Sequence, residues 1–202
     1  MKKILLLTLL ILVTMVFGQE KMELISGNFQ ALKDQKEVNI ELRFDNVLFM
    51  KENFTEAQYL ENRKEDVLSN PKRGKEGWKQ WIGEWERYKK EEYINHFAKG
   101  LGKYYKEVTF KKDGSAKYTL ILDTKWLLPG WHAGLVVMEA QVSGTIKLVE
   151  ASNPSVVLAE VALNKFDKFI QSKDEVMEYG RIATVYESAG RYLGKEIKKS
   201  MK

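Results

Sequence analysis

A chain of 202 residues with no cysteine, carrying 33 basic and 28 acidic side chains, has no route to disulfides, thiolate–zinc sites, thiol redox chemistry or a cysteine nucleophile. The charges are interspersed, and the one basic cluster is the tail "GKEIKKSMK", so the concentrated basic stripe of a nucleic-acid binder is missing. The length suits one domain with a core able to hold the fold without cross-links.

Lys2 and Lys3 precede an apolar run from Ile4 to Phe17, broken only by Thr8 and Thr14. Val16 and Gly18 supply the small residues that a signal peptidase needs, so residues 1–18 read as a signal peptide cleaved before Gln19. The run has 14 residues, short of the roughly 20 of a membrane-spanning helix. No later run approaches that length. The expectation is a periplasmic or secreted chain, soluble after cleavage, with residues 19–202 forming a single α+β domain.

A short strand is expected in "KMELISGNF". In "KEVNIELRFDNVLFM", Val38, Ile40, Leu42 and Phe44 recur at spacing two, which predicts a strand with one buried face. Thr55 then stands as an N-cap before a helical pattern that Pro71 and Gly74 close. From 75 to 101 the chain carries a Trp-rich helical insertion. Trp78, Trp81, Ile82 and Trp85 follow helical spacing, as do Tyr93, Ile94, Phe97 and Leu101, with Gly100 and Gly102 read as the stop.

The rest is mostly strand. "KEVTF" meets the turn "KKDGSA". Tyr118, Leu120, Leu122, Thr124 and Trp126 alternate on one face, and Val136, Met138, Ala140, Val142, Gly144, Ile146 and Leu148 alternate on another strand. "SNPS" turns the chain into "VVLAEVALNKF". Ser172 and Glu175 have the spacing of a capping box, and Ile182, Val185, Tyr186, Ala189, Leu193 and Ile197 mark one face of a closing helix. Gly190 and Gly194 beside that face would let the helix lie close to the sheet. The tail lysines suit the negative end of its dipole.

The predicted fold is α+β: an antiparallel sheet of about five strands, helices packed on one face, and a long amphipathic C-terminal helix. The other face would carry Thr119, Asp123, Lys125, Glu139, Gln141, Ser143, Thr145 and Lys147, a solvated surface with cross-strand charge pairs. Asp123 and Glu139 are the candidate partner contacts on it.

In "LPGWHAGL", Pro129 presets φ for the first central position of a turn, and Gly130 supplies the positive φ of the second. His132 has no second histidine near it, since His96 lies on the Trp-rich helix, so a turn explains the motif better than a base or metal ligand. Trp131 beside Trp126 would make an aromatic contact point at the loop tip. The stripe Trp78, Trp81, Trp85 reads as core packed on the sheet or as a platform for sugar rings or a partner. "SNPK" (69–72) matches a Ser-x-x-Lys pattern, but the companion Ser-Asp-Asn and Lys-Thr-Gly motifs are missing. No nucleophile elbow, phosphate loop, zinc-binding helix or dinucleotide fingerprint occurs. Catalytic residues, metal ligands and cofactors are therefore not assigned.

The stretch "SAKYTLILDTKW", followed by "AQVSGTIKLVEASNPSVVLAEVAL" and a closing Ala- and Gly-rich helix, resembles the α+β domain of periplasmic envelope accessory lipoproteins of the curli-secretion and penicillin-binding-protein-activator type. It is also similar to uncharacterised secreted proteins of Bacteroidota. The likeness covers residues 104–199 and implies an accessory or assembly role through protein contacts, with no cofactor. The chain departs from those groups in lacking a lipidation cysteine and in its insertion at 75–101. Three readings follow in order: an exported, non-enzymatic envelope protein that binds a protein partner; a glycan-binding module that uses exposed tryptophans; and a hydrolase of envelope polymers.

Overall fold

A computed structural model describes residues 21–112, 114–133, 136–168 and 177–201, with only the backbone of His132, Ala133 and Val136. The expected signal peptide (1–18), the Ser172/Glu175 capping box and the His132 side chain lie outside the described residues. Among the described residues no helix is long and apolar enough to cross a membrane.

The chain opens with strand β1 (Met22–Gly27) and a short 3-10 turn (Gln30–Leu32), followed by β2 (Glu37–Arg43). A small hairpin of β3 (Leu48–Phe49) and β4 (Phe54–Thr55) leads into α1 (Glu56–Ser69). The Thr55 hydroxyl accepts from the Gln58 N–H, and the Gln58 side chain accepts from the Thr55 N–H at 2.9 Å, a reciprocal capping box. Next, α2 (Gly74–Arg87) runs through a π-helical turn (Tyr88–Glu92) into α3 (Tyr93–Tyr104). Four more sheet elements follow: β5 (Thr109–Lys111), β6 (Tyr118–Leu128), β9 (Gln141–Glu150) and β10 (Asn153–Asp167). Between β6 and β9, β7 (Trp131–Ala133) and β8 (Val136–Met138) pair as a separate ribbon. Helix α4 (Glu178–Ser200) closes the fold.

The sheet corrects the prediction in two ways. It has eight strands rather than about five, and it is mixed rather than antiparallel: the order is β1-β10-β9-β6-β2-β5, with β3 joining β6 and β4. β2 inserts between β5 and β6 and is parallel to both. A parallel pair needs a long crossover, and the helical segment 56–104 between β2 and β5 is that crossover. The short connection between β5 and β6 suggested a hairpin, but the three-residue β5 pairs with β2 instead.

The core face follows the alternation for most of its length. Leu120 and Leu122 stand opposite Leu148 and Ile146, and all four are fully buried. The phase then changes. A bulge between Thr124 and Trp126 moves Leu127 to the core side and turns Trp126 to the opposite face. The long strand expected over 136–148 is also broken: β8 stops at Met138 and β9 begins at Gln141.

Helix α4 lies over β9 and β10, and α3 lies beside it over β2 and β5. All six predicted positions on α4, Ile182 to Ile197, are buried. Its glycines do a different job from the one predicted. A Cβ on Gly190 would stand 2.2 Å from the Phe97 carbonyl oxygen, and one on Gly194 would stand 2.6 Å from that of Leu101. The close approach is to α3, not to the sheet. Gly100 reciprocates, since its Cβ would stand 2.2 Å from the Glu187 oxygen. Gly100 is thus a crossing point inside α3 rather than its stop.

Candidate binding surface

The tryptophan stripe is a column of stacked rings. Trp78 and Trp81 centroids are 5.5 Å apart, Trp81 and Trp85 5.4 Å, with interplanar angles of 14° and 13°. Trp85 is fully buried against Phe49 and Tyr59, and Trp81 is 3 % exposed. Their indole N–H groups are occupied: Trp81 donates to Glu178 Oε2 at 3.3 Å and Trp85 to Glu56 Oε1 at 2.9 Å. Arg63 sits over Trp81 and forms an ion pair with Glu178, Nε to Oε1 at 2.6 Å. Trp81 and Trp85 are therefore core residues and not a platform, and they pack on β3, α1 and the start of α4 rather than on the sheet face. Trp78 is half-buried at the end of the column.

The Pro-Gly turn is a turn held from beneath. Gly130 adopts φ 67° and packs against the backbone of Met138 to Ala140. The buried Arg181 of α4 donates to the Pro129 carbonyl at 3.0 Å and to the Gly130 carbonyl at 2.8 Å. Burial lowers the pKa of its guanidinium, with Glu178 opposing that shift. Trp131 follows on β7, 40 % exposed. Trp131 is not among the residues that line the cleft around Trp126.

His96 lies near Glu187 (Nδ1 to Oε2, 3.3 Å), where Lys99 and Arg191 also converge at 2.8 and 2.6 Å. Burial alone would raise the Glu187 carboxyl, but hydrogen bonds from Lys99 and Arg191 outweigh it and hold the carboxyl below its ordinary value. This knot ties α3 to α4. Among the described residues no three His, Asp or Glu side chains cluster as metal ligands. Ser69 lies at the end of α1, donating to the Asp66 carbonyl, and not at the helix start that a Ser-x-x-Lys nucleophile requires.

The helices cover one face of the sheet. The opposite face carries Thr119 and Asp123 on β6, Thr145 and Lys147 on β9, and Glu160 on β10, with Glu41 and Arg43 on β2. Its charges pair locally: Arg43–Glu41 at 2.6 Å, Lys125–Asp123 at 2.7 Å and Lys147–Glu160 at 3.4 Å. Ile121 and Val149 lie among them, 3 % and 1 % exposed and separate from the main core cluster. Asp123 is where the alternation placed it. Glu139 is not: the break before β9 leaves it beside the Pro-Gly turn, paired with Lys168 at 3.3 Å.

One end of this face narrows into a cleft of ≈ 380 Å³ around Trp126. Gln141 and Ser143 of β9 form one wall, and Lys51 and Asn53 of the β3–β4 loop form another. The Trp126 indole donates to the Met50 carbonyl at 2.8 Å, and the Lys165 ammonium stands 5.8 Å from its ring centroid. The bulge that aims Trp126 here leaves only a broken alternation in the sequence, so the residue could be flagged but its face could not. The cleft partners come from three separate segments and carry no joint motif. No protein-family model, curated protein or solved structure matches this chain.

Proposed function

We infer that the protein is an exported, non-enzymatic binding protein of the cell envelope that engages a protein partner through the helix-free face of its sheet. One observation carries the reading. Every helix that packs on the sheet lies on the same side, and the opposite side keeps a set of paired charges around two buried branched residues, Ile121 and Val149. Opposite charges in fixed positions select a complementary partner and reject like-charged ones. The amino-terminal export pattern and the resemblance of residues 104–199 to envelope accessory domains support the location and the role. The burial of Trp81 and Trp85 weighs against the stripe as a glycan platform.

The test is in-cell crosslinking of the tagged protein, followed by mass spectrometry of what co-purifies. One dominant envelope protein is expected, lost in the charge-reversed variant Asp123→Lys/Lys147→Glu. Recovery of the same partner with that variant would remove the face from the account. Substrate-dependent turnover by the purified protein would remove the non-enzymatic reading.

A further inference from the structure

The Trp126 cleft has features that a protein-contact face does not require, and they point to a ligand of different chemistry. Of the five non-glycine residues with positive φ among the described residues, Asn53 (57°) and Lys165 (46°) line the cleft and Met50 (64°) holds its tryptophan. Methionine and lysine rarely adopt this region, and such conformations cluster where a ligand is held. Met50 and Lys165 each place a group. Met50 presents the carbonyl that accepts the Trp126 indole N–H, which pins the ring by its edge. The Lys165 N–H donates to Ser143 Oγ at 2.9 Å, which brings the lysine side chain over the ring and leaves the serine hydroxyl proton to donate elsewhere.

The charge is also uncompensated. Lys125, Lys147 and Lys168 on neighbouring strands and segments are all ion-paired, whereas Lys51 and Lys165 are exposed and have no carboxylate partner among the described residues. The neutral groups between them are the amides of Gln141 and Asn53 and the hydroxyl of Ser143, with Leu128 as an apolar floor. An aromatic face suits the C–H face of a sugar ring, and amides and hydroxyls suit its vicinal hydroxyls. Two ammonium groups suit a carboxylate. The cleft volume is at the lower end of small-molecule sites, about 300–1,000 Å³.

We propose that this cleft binds a pyranose carrying a carboxylate, as a residue of an acidic envelope or extracellular polysaccharide. The cleft lies at one end of the helix-free face, but its lining includes neither Asp123 nor Lys147, the charges reversed in the partner test, so its failure and the failure of the partner reading are distinguishable.

The test is titration of the full chain with trigalacturonate, its methyl ester, N-acetylmuramic acid and AMP, read by calorimetry and by the Trp126 indole N–H resonance, assigned with Trp126→Phe. Trigalacturonate or N-acetylmuramic acid should shift that resonance and bind at least about tenfold more tightly than the ester, since a charge-assisted hydrogen bond is roughly twice as strong as a neutral one. The first would identify a polyuronate source and the second a cell-wall source. Lys51→Gln and Lys165→Gln alter exposed side chains only, and each should weaken binding by about tenfold. Equal binding of acid and ester, a preference for AMP, no binding of either acid, or indifference to both lysine substitutions would overturn the proposal.

Discussion

Replacing Gly190 with alanine sets two effects of opposite sign against each other, and the structure decides between them. Alanine is the better helix former by about 1 kcal/mol. The added Cβ, however, would lie 2.2 Å from the Phe97 carbonyl oxygen. An unstrained C···O contact needs about 3.3 Å, so α3 and α4 must separate by roughly 1 Å. No side chain can rotate away, because the obstacle is backbone. A gap of that size forfeits a quarter to a half of each pair attraction across the crossing. Overpacking costs about 1–3 kcal/mol, and a backbone obstacle belongs at the upper end. Net destabilisation of about 2 kcal/mol is expected, which lowers Tm by about 4–8 °C in a chain of this size. Gly83 in α2 is the control: it is exposed, nothing lies within 4 Å of its Cβ position, and Gly83→Ala should stabilise by up to about 1 kcal/mol. The double variant Gly100→Ala/Gly190→Ala should cost less than the sum of its parts, because one separation relieves both clashes. Urea denaturation with thermal melts reads the parent, the single variants Gly190→Ala, Gly100→Ala and Gly83→Ala, and the double variant. Gly190→Ala at or above the parent stability would refute the α3–α4 crossing.

Four further substitutions probe the polar interior. Glu187→Gln should cost about 1–3 kcal/mol at neutral pH, because two charge-assisted hydrogen bonds weaken. The folded-state pKa of Glu187 is depressed, so its contribution is present above the ordinary carboxylate value of 4.5 and is lost as pH falls through the lower folded value. The gap between parent and variant in denaturant melts should therefore hold down to about pH 5 and close below it; a constant gap down to pH 3 would contradict the assignment. The two fully buried tyrosines Tyr93 and Tyr186 should respond with opposite signs. The Tyr93 hydroxyl has no partner among the described residues, so Tyr93→Phe should stabilise by about 1 kcal/mol. Tyr186 shares a 2.8 Å hydrogen bond with Thr124 Oγ1, so Tyr186→Phe should destabilise by a similar amount; chemical denaturation distinguishes them. Arg181→Met removes both donors to the Pro129–Gly130 turn and should cost about 2 kcal/mol or more, with faster amide exchange at Trp131 and Met138 than in the parent.

What could be read from the sequence was local. The Thr55 cap, the six buried positions of α4 and the alternation of Leu120, Leu122, Ile146 and Leu148 are each written within a few residues, and each stands in the structure. What could not be read depends on distant segments. Nothing near Val38 or Ile40 announces that β2 will lie between β6 and β5. Gly100 reads as a stop until Glu187 and Gly190 are brought against it. The same limit governs the candidate surface. Alternation puts Asp123 on the face where the structure has it, but it misplaces Glu139, because the pattern runs unbroken through a strand that ends at Met138. The same alternation points Trp126 to the core face, whereas one extra residue in β6 reverses every side chain beyond it.

The claim that a partner docks on the helix-free face is tested most directly by placing a photo-crosslinking residue at Thr145, at the centre of that face, and at Lys103, exposed on α3, in separate cells. The account predicts a single discrete adduct from Thr145 and none from Lys103. Adducts from Lys103 alone, or from neither position, would contradict it.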